Sequence, residues 1–381
     1  MDGIVIIGSG LAGYNAAREL RKLDRDIPLT VLTADGGEFY SKPTLSNALA
    51  ANKTPAQIPI HSAEEMAGQL GATVRTRTRV TAIEPGERRV RIGDETLPYS
   101  RLVLAVGADQ IRLPIAGDAA REVLTVNSLD DYARFRRALE GRRSVAIIGA
   151  GLIGCEFAND LAACGIRVDV ADLARQPLPR LLPPPAGALL AEKLAALGVN
   201  WHFGTSVERV DRKGAGLEVR LGNGEVIAAE LVLSAVGLAP KLELARAAGM
   251  AVNRGIVVNR YLEAGAPGVH ALGDCAEVEG LVLPFVMPIM HAARALAATL
   301  AGSRTAVAYP AMPVVVKTPA CPTVVAPPPA GAGGEWRIER SADGVKALYV
   351  DGKERLLGFA LAGAAAAERA KLARELPPVL A

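Results

Sequence analysis

Cysteine is scarce in this chain, and the few present are poorly placed for redox or metal work. Of 381 residues only Cys155, Cys164, Cys275 and Cys321 are cysteines, and no two form a C-x-x-C pair. That spacing excludes a sequence-local zinc or iron–sulfur site. Cys155 and Cys164 lie nine residues apart on one expected helix. They point to opposite sides of it, so no disulfide between them is expected. His61, His202, His270 and His291 are scattered without ligand spacing, and no metal site is expected. Aromatics make up only 4%, and the net charge of +3 does not point to nucleic acid. No apolar run approaches the length of a membrane span, so no membrane insertion is expected. The first strand pattern begins at Ile4, which leaves no room for a charged and apolar leader. A cytoplasmic protein is the expectation.

What is abundant is glycine, alanine and apolar side chains. Half the residues are hydrophobic and 39 are glycine, a mix that suits helices lying close on sheets in α/β layers. The length calls for two or three domains. Residues 4–7 (Ile-Val-Ile-Ile) read as a buried parallel strand. Gly8, Gly10 and Gly13 follow, then a helix to about Leu23 with Ala12, Ala16, Leu20 and Leu23 on one face. A strand over 29–33 ends before Asp35. Residues 145–172 repeat the plan, with a strand over 145–148, Gly149, Gly151 and Gly154 in the turn, a helix to about Cys164, and a strand over 168–171 before Asp172. The two units start 141 residues apart, which marks a duplicated unit and not a short solenoid repeat. Residues 74–104 read as β-ribbon leading to Gly107, and a matching apolar run over 231–236 ends at Gly237. The proline-rich stretches 177–185 and 322–329 read as loops or linkers. Roughly the last 70 residues read as strands followed by a helix over 360–376, together a third domain.

A single G-x-G-x-x-G is weak in so glycine-rich a chain, where about 0.4 matches are expected by chance. Context strengthens these two. Each follows an apolar strand and opens a helix, and each has an acid at the end of the next strand, 22 residues after Gly13 and 18 after Gly154. The chemistry of dinucleotide binding needs each part. The first glycine allows the tight turn, the second lets backbone approach a pyrophosphate, and the third lets helix pack on strand. Leu11 and Ala12, and Leu152 and Ile153, open the two helices, whose free N–H groups and positive dipole ends suit phosphates. Asp35 and Asp172 are placed to accept ribose hydroxyls. Two such units suggest a flavin permanently held and a nicotinamide that visits. A carboxylate at Asp172 repels a 2′-phosphate, which favours NADH over NADPH, although Arg167 and Arg175 lie close enough in sequence to soften that.

Over its whole length the chain resembles the pyridine-nucleotide-disulfide oxidoreductase superfamily. Val269-His-Ala-Leu-Gly-Asp274 is similar to the family's third FAD segment. The resemblance implies that Asp274 bonds the flavin ribityl chain and that Gly273 admits backbone to the pyrophosphate. It also implies that the helix after Pro288 aims its N-terminus at the flavin pyrimidine oxygen. Ala105, Gly107 and Gly237 resemble the family's strand returns beneath each nucleotide, and Val80 is carried over as a further contact. Tyr40-Ser-Lys-Pro-Thr-Leu-Ser46 looks like the flavin-contacting segment of reductases that feed small iron proteins, with Lys42 and Pro43 at the flavin and pyrophosphate. Many ferredoxin-type relatives carry a lysine directly after Leu-Ser, where this chain has Asn47. Stretches 151–160, 273–277 and 316–322 are similar to the rubredoxin-reducing branch. That branch implies Glu156 beside the nicotinamide carboxamide and Lys317 at the flavin N1–C2=O side. The implied fold is α/β: two nested Rossmann-like dinucleotide-binding domains (glutathione-reductase-like) plus a C-terminal α+β domain. Its expected boundaries are 1–111 and 240–308 for FAD, 112–239 for NADH and 309–381 for the last domain.

Against this family the missing cysteines carry weight. Its disulfide reductases need a redox-active pair, and its peroxidases a single cysteine soon after the first unit, but residues 36–50 contain none. Cys155, Cys275 and Cys321 read as small buried hydrophobes. Electrons are therefore expected to leave the flavin directly for a one-electron metal centre on another protein, with rubredoxin, a small acidic iron protein, as the expected partner. Arg75, Arg77 and Arg79 alternate and would share one strand face, read here as a solvated face and not as the docking patch. Three alternatives stand beside this reading: a ferredoxin reductase serving an oxygenase, an NADH oxidase, and a redox-sensing binder like apoptosis-inducing factor.

Overall fold

The computed structural model describes residues 3–381. Ile4–Ile7 has no polar face to offer water, and it forms the centre of a five-stranded parallel sheet. Leu29–Leu32 and then Thr73–Arg75 lie on one side of it, with Arg101–Leu104 and then Val269–Ala271 on the other. The helix Leu11–Leu23 connects the first two strands. The second unit repeats this arrangement. Ser144–Ile148 is flanked by Arg167–Asp172 and Leu231–Ser234, with Val199–Phe203 at the edge, all parallel. The helix Leu152–Ala163 makes its crossover. Each unit also carries a three-stranded antiparallel ribbon, over 82–98 in the first and 207–229 in the second.

In both sheets the chain order reverses at the first strand of the unit. The crevice at such a switch point, outside the strands' carboxyl ends, is where open α/β sheets take ligands. The two exits are tied together, because Ala108–Gln110 pairs antiparallel with Leu238–Pro240. A separate five-stranded antiparallel sheet closes the chain, in the order Val314–Val316, Thr323–Ala326, Leu356–Gly363, Gly344–Val350, Glu335–Arg340.

Several expectations need correction. The helix expected from 360 is strand up to Gly363, then a short 3-10 turn, with true helix only over Arg369–Glu375. Leu356–Gly363 is paired on both edges and Gly358 to Ala362 are buried, so tertiary burial overrides the helix preference of its alanines. The proline-rich 322–329 stretch holds the fully buried strand Thr323–Ala326, since its prolines flank the hydrogen-bonded residues and do not interrupt them. In 177–185 the last two prolines open the helix Pro184–Ala196, where a missing N–H is harmless. Only 82–98 of the expected ribbon is ribbon, because its two ends join the parallel sheet. Leu23, the last residue of its helix, is 59% exposed and lies outside the apolar face. Arg75, Arg77 and Arg79 share no strand face. The strand stops at Arg75, Arg77 adopts a positive φ, and Arg75 and Arg77 pair with Glu95 and Asp130.

Phe359 is fully buried in a cluster with Val324, Leu361, Ala366 and Leu372 that joins the last sheet to the terminal helix. Phe359→Ala should destabilise this region by about 3–5 kcal/mol through lost burial and the cavity left behind. Denaturant unfolding of the full chain, followed by a probe in the last 70 or so residues, measures it.

Candidate functional site

The site is built from two glycine turns and what is brought against them. In the first turn Gly8 has φ +112°, and a Cβ there would lie 2.2 Å from the Ala105 carbonyl oxygen. A Cβ on Gly13 would lie 1.9 Å from the Gly8 carbonyl oxygen, so the helix can sit on the strand only with glycine here. Gly10 occupies the N-cap without a side-chain cap, and space beside it is open. The first helical N–H groups, from Leu11 to Gly13, therefore face a cradle that an anion could fill.

Asp35 stands at the rim. Its Oδ1 accepts from Ser9 Oγ (3.0 Å), Thr33 Oγ1 (2.5 Å) and Gly37 N (3.0 Å). Its Oδ2 makes no hydrogen bond among the described residues and could accept from a ribose. No sequence signal marks Ser9 and Thr33 as contributors. Both hydroxyls act only through the fold, by holding one carboxylate oxygen so that the other faces out.

Gly273 arrives from the far edge of the sheet. Its φ is +82°, and a Cβ there would meet the Ala12 Cβ at 2.6 Å, so this segment packs directly on the start of the first helix. Asp274 follows. Burial pushes its carboxyl above the usual range, partly opposed by the Lys42 cation. Burial pulls Lys42 down, partly opposed by Asp274, and Lys42 Nζ donates to Asn127 Oδ1 at 3.2 Å. Pro43 sits in the 3-10 segment Lys42–Asn47, while Val80 and Ala105 are buried. The carbonyls of Gly107 and Gly237 accept from Lys241 N and Ile111 N, which stitches the two exits together. Pro288 is placed differently from expectation. The helix Val286–Leu300 begins two residues before it, and Pro288 is buried in its first turn, where the lack of an N–H costs nothing.

The second turn copies the first, with a Gly154 Cβ position 1.9 Å from the Gly149 carbonyl oxygen and an uncapped N-terminus at Gly151. Leu152 and Ile153 stand at the opening, Ile153 being 37% exposed. The acid differs in use. Asp172 Oδ2 accepts from Ala150 N (2.6 Å) and Oδ1 from Ala174 N (2.7 Å), so it braces the turn itself. Arg167 is too far away to soften its charge. It lies at the opposite end of the strand and bonds the Ala228 carbonyl.

Glu156, one turn into the second helix, is wholly buried. Its carboxylate accepts from Lys317 N (2.9 Å), from Lys317 Nζ and from Ser46 Oγ. The two residues that the sequence placed separately, Glu156 and Lys317, are thus one ion pair across 161 positions. No sequence signal marks Ser46 as its third member. A recess of about 250 Å³ beside the pair is lined by Asn47, Val315, Lys317, Pro319 and Arg369 among others. Burial raises Cys155 strongly, Cys275 to about 11, and Cys321 as well, and all four cysteines are free.

Residues 2–299 match the family model described as pyridine nucleotide-disulphide oxidoreductase. Residues 306–376 match the model described as rubredoxin binding C-terminal domain. The chain is 47% identical to the rubredoxin-NAD(+) reductase of Alcanivorax borkumensis, with all of both chains covered. It is 48% identical to that of Acinetobacter baylyi, covering 100% of this chain and 99% of the relative. Among solved structures it is similar to the ferredoxin reductase for the CYP199A2 system from Rhodopseudomonas palustris, with TM-score 0.87, 25% identity and 95% and 91% of the two chains covered. Among the described residues, no helix is long and apolar enough to cross a membrane.

Because burial raises Asp274, the nucleotide-free protein is penalised for holding that carboxylate charged. The penalty is absent below the ordinary carboxylate pKa and grows as pH rises through and beyond it. Asp274→Asn should therefore melt higher than the native apoprotein at pH 7, with the gap closing toward pH 4. Paired thermal melts at the two pH values check this, and a gap independent of pH would contradict it.

Proposed function

The chain belongs to the pyridine nucleotide-disulphide oxidoreductase family, and on that premise we propose that it is an FAD-dependent reductase that takes a hydride from NADH and passes electrons one at a time to rubredoxin. The observation that carries the reading is Lys317. It comes from the segment that matches the rubredoxin-binding domain, and it reaches the buried carboxylate on the helix that opens the second glycine turn. One side chain thus links an acceptor-binding domain to a dinucleotide site.

FAD, when bound, supplies a centre that accepts two electrons and releases them singly. The residues present fit it. The free N–H groups from Leu11 to Gly13 suit its pyrophosphate, the open Oδ2 of Asp35 suits a ribose, and Gly273, whose lack of a Cβ lets its segment pack on Ala12, brings Asp274 to the same place. Asp274 and Lys42 offer a buried acceptor and donor of opposite charge beside that cradle. The positive end of the helix Val286–Leu300 favours negative charge at its start.

The second turn, Gly149 to Gly154, suits NADH. Asp172 opposes a 2′-phosphate, and the buried Glu156, its oxygens engaged by Lys317 and Ser46, fixes the Lys317 cation beside that helix. Lys317 keeps a cation where negative charge develops on hydride transfer. High thiol pKa values support electron exit without a cysteine relay. A cytoplasmic setting, where NADH is supplied, belongs to this reading.

The deciding experiment is steady-state NADH oxidation with a panel of acceptors. Rubredoxin should be reduced faster than ferredoxin, and carrier-free oxygen uptake should be slow. Faster ferredoxin reduction or vigorous oxygen uptake would overturn the assignment. Asp172→Ser should also shift the NADPH-to-NADH ratio of kcat/KM upward by about tenfold, because a repulsion worth roughly 1.4 kcal/mol is removed. Initial rates with both cofactors measure that shift.

A further inference from the structure

Glu156 is not alone on its helix. Asn159 and Asp160, three and four residues on, share its face and are 4% and 2% exposed. Neither has a place in the reaction as described. Each spends its acceptors on backbone from another segment. Asn159 Oδ1 accepts from Ala320 N at 3.1 Å. Asp160 Oδ2 accepts from Leu49 N at 3.1 Å and Oδ1 from Ala50 N at 2.9 Å. Among the described residues Asp160 has no cation within ion-pairing distance. A buried carboxylate without a cation is expensive, and here two amide donors are its direct compensation. Burial indeed pushes its carboxyl above the ordinary range.

The segments so held are those that build the hydride site. Residues 49–50 continue the Lys42–Asn47 segment, which supplies Ser46 to Glu156. Ala320 lies three residues beyond Lys317, which pairs with Glu156. One helix face therefore fixes the backbone on either side of the Glu156 carboxylate, once from each neighbouring domain. We propose that Asp160 and Asn159 are positioning residues that lock the Ser46 and Lys317 segments around Glu156, so that the hydride site and the acceptor-binding domain move as one body. This rests on the reductase reading for its kinetic consequence but not for its structural one.

Asp160→Asn is nearly isosteric, yet it must turn an amide N–H₂ toward either Leu49 N–H or Ala50 N–H. One donor then faces another donor. One of the two bonds on the 49–50 side is lost while the Asn159 contact remains. A displacement of about 1 Å at a reacting group can cost up to about a hundredfold. In the holoenzyme, Asp160→Asn should lower kcat with rubredoxin by about tenfold, leave the KM for NADH within about twofold, and speed amide exchange at 49–50 but not at 320. Asn159→Leu should do the reverse in exchange, speeding 320 and sparing 49–50. The native enzyme offers a measurement that needs no variant. Amides 49, 50 and 320 should exchange as slowly as the helix Leu152–Ala163. Fast exchange there, or an Asp160→Asn enzyme with native kcat and native exchange, overturns the proposal. If rubredoxin is not the acceptor, native turnover with it is slow while the exchange pattern persists, so the two failures are told apart.

Discussion

The Glu156 carboxylate is the point on which the arrangement of this molecule depends. It is fully buried, and a buried charge is tolerated only when its partners are in place. None of those partners comes from its own sheet. Ser46 belongs to the segment after the first unit's second strand, and Lys317 to the edge strand region of the last sheet. The chain must therefore assemble three remote regions before this group is satisfied. Asn159 and Asp160 impose the same demand one turn further along, through Ala320, Leu49 and Ala50. The polar face of one helix thus determines how the surrounding layers sit.

The two glycine turns are near copies, yet their acids are used differently, and the difference suits two kinds of occupancy. Asp35 is held through one oxygen, with the other open to a ligand. Asp172 spends both oxygens on Ala150 and Ala174, so a ribose must share lone pairs already engaged. The first turn is also closed over by Gly273 and Asp274, which arrive about 240 residues after Asp35 in the chain. At the second turn Ile153 remains partly exposed. A ligand enclosed on several sides with an unspent acceptor stays, whereas one at an open rim exchanges. That is the physical content of a resident FAD and a visiting NADH in the proposed cycle.

Much of this was legible beforehand because its signals are local. Apolar runs of four or five residues, followed by glycines at fixed offsets and a helix, place both turns without knowledge of the rest. The distances that mattered most are not local. No spacing rule joins Glu156 to Lys317 or to Ser46, so their pairing had to come from the structure. The position of Asp172 suggests an open acceptor, but the Ala150 amide that occupies it is backbone and leaves no mark in the sequence. In the last domain local preference and tertiary burial disagree. Alanines over 360–362 favour helix alone, yet in a strand paired on both sides their small size lets neighbours pack tightly. Prolines at 322 and 327–329 suggested a loop, although the four residues between them are the ones that pair.

The Glu156–Lys317 pair raises a question that magnitudes answer. Removing one partner of a buried pair costs about 3–5 kcal/mol, which makes it look like a fastener. But replacing both partners by apolar residues of similar volume is often neutral or stabilising. The domains could therefore be held together as well, or better, without any charge at this place. What an apolar pair could not supply is an oriented carboxylate beside the opening of the second glycine turn, with a cation against it from the domain that matches a rubredoxin binder. Stability alone does not account for the choice. On the proposed reductase reading, a cation fixed here in advance would favour the negative charge that hydride transfer develops, without having to reorganise. The surrounding fold then has one task that hydrophobic packing cannot perform, which is to hold that cation still.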